Sequence, residues 1–137
     1  LPKGTVVYTQ DKNGNKAVYQ SNDNDELNMP LVVLVNGNSA SASEIFAGAV
    51  KDYKYGTLIG TKTFGKGIVQ VLIPLTDGSA VKVTMAKYFT PNGNYIHKKG
   101  IEPDINLEYS YTGDKDQPYD MMKDNQVLKA IEVLKQK

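Results

Sequence analysis

Two short segments hold the side chains that could do chemistry. One is Asn36-Gly37-Asn38-Ser39-Ala40-Ser41-Ala42-Ser43-Glu44, which places three serines where an apolar run gives way to helical spacing. The other is Thr63-Phe64-Gly65-Lys66-Gly67-Ile68-Val69-Gln70, which sets a lysine between two glycines with a glutamine four residues on. A serine becomes a nucleophile when a base takes its proton, and a desolvated lysine can serve as that base. The choice of bases is narrow. His97 is the only histidine, so a Ser-His-Asp arrangement would have to use it and a multi-histidine metal site is excluded. Its place after the turn Pro91-Asn92-Gly93 reads as a surface position. Cysteine is absent, which removes disulfides, thiolate nucleophiles and thiolate metal sites together.

Each segment has a chemical and a plain reading. Backbone N–H groups at a helix start point outward and carry partial positive charge. A nucleophile placed there can use one of them to stabilise a tetrahedral oxyanion. The same serines also read as a small-residue loop with an N-cap at Ser41 or Ser43. Around Lys66, Phe64, Ile68 and Val69 could desolvate the amine, lowering its pKa and making it a usable base. It also reads as an exposed lysine on a glycine turn. Gln70 lies four residues on, ~13 Å away in a regular strand. Contact with Lys66 therefore needs a bend at Gly67, after which the amide oxygen could orient the lysine.

The elements that must position these groups follow from the pattern. Thr5–Thr9 and Ala17–Gln20 read as a hairpin about Asn13-Gly14. Ser21 to Asn28 reads as a polar loop. Leu31–Val35 is continuously apolar, which predicts a central strand buried on both faces. From Ala42 to about Tyr53, Ile45, Phe46, Ala49, Val50 and Tyr53 recur at helical spacing. Thr57–Gly60 reads as a strand, completing a strand–helix–strand crossover. Ile68–Leu75 and Ala80–Thr90 flank the turn Thr76-Asp77-Gly78-Ser79 as a second hairpin. Glu102 precedes proline and is extended. Tyr111 to Tyr119 reads as a mobile polar stretch, and Asp124 to Lys137 as an amphipathic helix.

The 137 residues suffice for one domain with a core. At 40% hydrophobic and 23% charged, the composition is that of a globular chain. A formal net charge of +1 with no basic run gives no field to recruit nucleic acid. No apolar run approaches the ~20 residues of a membrane span, and no signal peptide is visible.

Taken together, these residues resemble the carboxyl-terminal processing peptidases, or tail-specific proteases. The resemblance rests on Ser39-Ala40-Ser41-Ala42-Ser43-Glu44, on Thr63-Phe64-Gly65-Lys66-Gly67 with Gln70, and on three later segments. Those are Gly78–Thr84, Tyr88-Phe89-Thr90-Pro91-Asn92-Gly93 and His97–Asp104, so nearly the whole chain is covered. The resemblance implies Ser41 as nucleophile, Lys66 as general base 25 residues on, Gln70 as the lysine's orienting partner, and the Ala42 N–H as an oxyanion donor. It implies an α/β spiral core of ββα units like that of Clp protease and crotonase. Protein or peptide substrates with apolar C-termini, an extracytoplasmic place at the cell envelope, and neither metal nor other cofactor are implied as well.

The family's PDZ domain and its upstream Leu-Arg-x-Asn-x-Gly-Gly segment are not in these residues. The chain 1–137 is therefore expected to be the C-terminal portion of a catalytic domain, inactive alone and prone to self-association. Two other readings stand beside a Ser/Lys peptidase. One is a non-catalytic peptide- or ligand-binding module of the same fold, and the other is a crotonase-like acyl-CoA enzyme on fold grounds alone.

Overall fold

The computed structural model describes residues 1–22, 26 and 28–136. Among the described residues the fold has two sheets, two α-helices and one turn of 3-10 helix at Met121–Lys123. The first sheet is antiparallel, with strands β1 (Gly4–Asp11), β2 (Lys16–Ser21), β5 (Ile68–Pro74) and β6 (Ala80–Phe89) in the order β2-β1-β6-β5. The second is parallel, with β3 (Val32–Val35), β4 (Thr57–Gly60) and β7 (Ile105–Asn106) in the order β3-β4-β7. Helix α1 (Ala42–Asp52) connects β3 to β4, and α2 (Asn125–Lys135) packs on the same two strands.

Both hairpins, the crossover and both helices form where the periodicity puts them. The expected loop at Ser21–Asn28 falls partly on residues outside those described, as does the last residue of the expected C-terminal helix. The placement of Leu31–Val35 is a correction. Strand β3 lies at the edge of its sheet, paired only with β4 among the described residues, and Leu34 is 40% exposed. Among the described residues the apolar run is thus only partly covered: Val35 joins a cluster with Ala47, Val50, Leu58 and Ile101, Leu31 and Val33 pack against it, and Leu34 stays open to solvent. Apolar content marks a strand as able to be buried; it does not supply the neighbour that buries it.

The stretch from Tyr111 to Tyr119 is a second correction, because it is tied down. The Tyr111 and Tyr119 rings stack with centroids 5.5 Å apart, and the Tyr119 hydroxyl donates to Asp124 Oδ2 at 2.6 Å. Asp124 is the N-cap of α2, and its Oδ1 accepts from the Gln126 and Val127 amides at 2.8 and 3.1 Å. Burial pushes the Asp124 carboxyl up, but the Tyr119 hydroxyl and the two amides outweigh it and hold the group below the usual carboxylate range. The same contact pushes the Tyr119 phenol up to about 12. A carboxyl depressed in the folded state stabilises above its unfolded pKa of ~3.9, and that contribution is lost as pH falls through the folded value. Acid titration followed by circular dichroism should therefore show α2 loosening below about pH 4. Asp124→Asn should flatten that step, and an unchanged acid limb in Asp124→Asn would count against this account.

Candidate active site

Ser41 occupies the turn between β3 and α1, as the N-cap of the helix, with φ 55° and ψ −113°. A positive φ with this ψ is sparsely populated for a residue bearing a Cβ and costs ~1–3 kcal/mol. A strained turn from strand to helix is the geometry that thrusts a nucleophilic side chain out of the backbone. The Ser41 hydroxyl makes no cap bond. Ser41 and Glu44 stand in a capping-box arrangement, in which the Ser41 N–H donates to Glu44 Oε2 at 3.1 Å. Ala42 opens the helix, and its N–H has no acceptor among the described residues, leaving it free for an incoming oxygen.

The neighbouring serines are spent differently. Ser39 Oγ accepts from the Asn36 N–H at 3.1 Å, and the Ser39 carbonyl accepts from the Phe64 N–H at 3.0 Å. Ser39 thus braces its own loop and ties it to the lysine loop. Ser43 is exposed on the first turn of α1.

The residue that joins the two segments is Glu44, to which the sequence reading assigns no role. Its side chain is fully buried. Oε1 accepts from Thr63 Oγ1 at 2.5 Å and the Gly65 N–H at 2.6 Å; Oε2 accepts from the Lys66 N–H at 2.7 Å as well as from Ser41. All four partners donate, which an acceptor-only carboxylate satisfies. Because Oε2 holds both the Ser41 and Lys66 amides, those two nitrogens lie no further apart than the sum of their two hydrogen-bond lengths. The Ser41 and Lys66 backbones are therefore neighbours. A signal was available in Ser41-Ala42-Ser43-Glu44, the spacing of a capping box, but that spacing says nothing about Thr63, Gly65 or Lys66.

The lysine loop is fixed from its other side by Ile96–Ile101. Thr63 Oγ1 accepts from the Ile101 N–H at 2.8 Å, and Gly65 O accepts from the Lys98 N–H at 2.9 Å. A Cβ on Gly67 would come within 2.5 Å of the His97 nitrogen, and Gly65 has φ 89°, so side chains are excluded at both positions. Lys66 itself is exposed, and its amine has no hydrogen bond or ion pair among the described residues. The desolvation expected from Phe64, Ile68 and Val69 is absent here: Phe64 is 65% exposed and turned out to solvent. Gln70 follows a bulge between Val69 and Gln70, and its Nε2 donates to Thr84 Oγ1 at 3.2 Å across the hairpin. The chain brings Ser41, Ala42 and Lys66 together, and places Gln70 on the exposed face beside Thr84. His97 also departs from the surface position expected of it, being half-buried with Nδ1 enclosed and lacking a partner. Among the described residues no group of three or more His, Asp or Glu side chains converges to hold a metal ion.

The profile of Peptidase family S41 matches residues 1–107, and the chain belongs to that family. It is 51% identical over 108 residues to a carboxyl-terminal-processing protease of Synechocystis, covering 79% of this chain and 25% of that protein. A probable CtpA-like serine protease of Staphylococcus aureus is 46% identical over 111 residues, covering 79% and 22%. Among solved structures, a photosystem II D1 C-terminal processing protease superposes with a TM-score of 0.74 at 46% identity, covering 79% of this chain and 28% of that one. The chain spans about a quarter of the length of the curated relatives it matches.

Two substitutions probe this geometry. Ser41→Gly removes the Cβ that makes φ 55° costly, so it should be more stable than Ser41→Ala by about 1–3 kcal/mol in urea titrations. Equal midpoints would show an unstrained elbow. Glu44→Gln turns one acceptor into a donor facing backbone N–H groups and should cost about 2–3 kcal/mol. A midpoint within error of the parent chain would refute the hub.

Proposed function

We propose that the protein carrying this chain is a serine endopeptidase with a Ser41/Lys66 dyad that cleaves near protein C-termini. The observation that carries the reading is the strained Ser41 held beside the Lys66 backbone by Glu44. Ser41 Oγ attacks the scissile carbonyl while Lys66 Nζ accepts its proton. The tetrahedral oxyanion is received by the Ala42 N–H, the first free amide of α1, and Lys66 returns a proton to the leaving amine. An acyl-enzyme on Ser41 is then released by water that Lys66 deprotonates.

Lys66 stands on a loop whose backbone is fixed by Glu44, Ser39 and Lys98, so closing on Ser41 requires side-chain torsions rather than loop motion. Gln70 orients Lys66 in the working state by leaving Thr84, a rotamer change open to an exposed side chain. A non-catalytic module of the same fold would have no use for a serine at a strained φ. The relatives' names support a protease that processes protein C-termini, the family resemblance puts its place outside the cytoplasm, and the chain supplies one oxyanion donor at its elbow. Alone, it is expected to be inactive and to self-associate through the edge of β3 that has no partner strand among the described residues.

In the full-length protein, cleavage of an unfolded substrate should fall by at least ~10⁴-fold in Ser41→Ala and in Lys66→Ala, as for other nucleophile–base pairs. Ser39→Ala and Ser43→Ala should retain most of it, and Gln70→Ala should lower kcat while leaving the labelling of Ser41 by a serine-reactive probe detectable. Mass spectrometry of the products reads all of these. Lys66→Ala at parental rate would overturn the dyad.

A further inference from the structure

Three places in the chain read Asn-Gly-Asn: Asn13-Gly14-Asn15, Asn36-Gly37-Asn38 and Asn92-Gly93-Asn94. In an Asn-Gly step the glycine nitrogen can attack the asparagine side-chain carbonyl, because no Cβ shields it. All three steps lie in turns, and the structure separates them by how each glycine amide is engaged. The Gly14 N–H donates to the Asp11 carbonyl at 3.2 Å, and the Gly93 N–H to the Thr90 carbonyl at 2.8 Å. The Gly37 N–H has no acceptor among the described residues. Its turn is closed by the Ser39 N–H donating to the Asn36 carbonyl at 2.9 Å, which makes no use of the second residue's amide.

The Asn36 side chain is prepared as well. Its Oδ1 accepts from the Asn38 N–H at 2.9 Å. Attack at Cγ puts negative charge on that oxygen, and a donor already aimed at it stabilises the charge. Among the described residues no donor holds the side-chain oxygen of Asn13 or of Asn92 in this way. Asn36 and Gly37 are both exposed, so water reaches them.

We propose that Asn36-Gly37 is a self-modification site: the Gly37 nitrogen displaces ammonia from the Asn36 side chain, and the resulting isoaspartyl linkage disables the Ser41 elbow. Solvent base removes the Gly37 amide proton, the nitrogen bonds to Asn36 Cγ, and the Cγ–Nδ2 bond breaks. Nδ2 leaves as ammonia with a proton from water, and a cyclic succinimide remains. Water then opens the ring at either carbonyl. One product is an aspartyl residue. In the other the main chain runs through Cβ and Cγ, and the α-carboxylate becomes the side group.

That linkage lengthens the main chain between β3 and Ser41 by one carbon–carbon bond, ~1.5 Å. It also moves the carbonyl that the Ser39 N–H bonds, and it adds a negative charge. Ser39 braces the elbow loop through the Asn36 amide and ties it to the lysine loop through the Phe64 amide. The effect on chemistry at Ser41 rests on the protease reading; the modification itself does not.

The test ages the full-length protein in buffers of rising pH and follows Asn13, Asn36 and Asn92 by peptide mapping. Electron-transfer fragmentation separates isoaspartyl from aspartyl products. Position 36 should convert about three- to tenfold faster than positions 13 and 92, the factor that one surrendered hydrogen bond is worth, and faster as pH rises. Gly37→Ala should bring position 36 down to the rate of the other two or below. The fold admits this change, since a Cβ there meets only the Lys62 carbonyl at 4.0 Å. Position 13 or 92 converting as fast as position 36, or Gly37→Ala converting like the parent, overturns the site.

Labelling by a serine-reactive probe gives the second readout. The isoaspartyl fraction should label at Ser41 at least about tenfold more slowly than unmodified protein, as expected when a reacting group is misplaced by about an ångström. Asn36→Asp carries the charge without the extra main-chain carbon and should label near the parental rate. Equal labelling of the two fractions overturns the disabling step, and slow labelling of Asn36→Asp overturns its chain-lengthening cause. Conversion at position 36 in a protein whose Ser41 never labels sustains the modification and overturns the protease reading.

Discussion

One buried carboxylate organises this molecule. Glu44 is sealed from solvent and accepts four hydrogen bonds, from a strained serine's amide, a threonine hydroxyl and two amides of the lysine loop. An ionised group so placed would be prohibitively costly without those donors, and the donors would be buried and unsatisfied without it. That mutual dependence fixes two loops that are otherwise short on contacts, because one is made of small residues and the other of glycines. It also explains how a serine can hold φ 55°: the Ser41 amide is anchored at one end and α1 fixes the other.

The rest of the fold works to hold the hub in place. The parallel β3–α1–β4 unit presents the start of α1 at the C-terminal end of β3, where the chain turns and backbone donors are free. Ile96–Ile101 closes over the lysine loop through backbone contacts that only glycine permits at 65 and 67. Thr63 transmits that closure to Glu44 by accepting from Ile101 and donating to the carboxylate. The far end of α1 is fixed to the segment leading into β7, where Lys51 bonds the Glu102 carbonyl at 2.6 Å and pairs with Asp104 at 3.3 Å. The Asp104 carboxylate in turn accepts from the Leu58 amide of β4.

The antiparallel sheet plays a different part. One face is closed by aromatic stacking, and the other is left partly open toward Ile45 and α1. Its long hairpin carries Val71, Ile73 and Val81 away from the core, so apolar surface is spent outside the chain rather than on its stability.

What the sequence alone determined is local. Periodicity of two and of 3.6 located both hairpins and both helices, because side-chain alternation is a property of the segment itself. Residue type and spacing marked three serines at a helix start and a lysine between glycines, and the resemblance to the tail-specific proteases, not the spacing, implied Ser41 and Lys66 in particular. Tertiary structure decided everything that needs a second segment. Glu44 draws three of its donors from 19 to 22 residues away, so its capping-box spacing revealed one bond of four. Gln70 was displaced toward Thr84 by a bulge set by the pairing of β5 with β6. The apolar run of β3 promised burial, yet sheet order left it at an edge. An amino-acid pattern specifies what a segment can present, and only the arrangement of segments specifies what it meets.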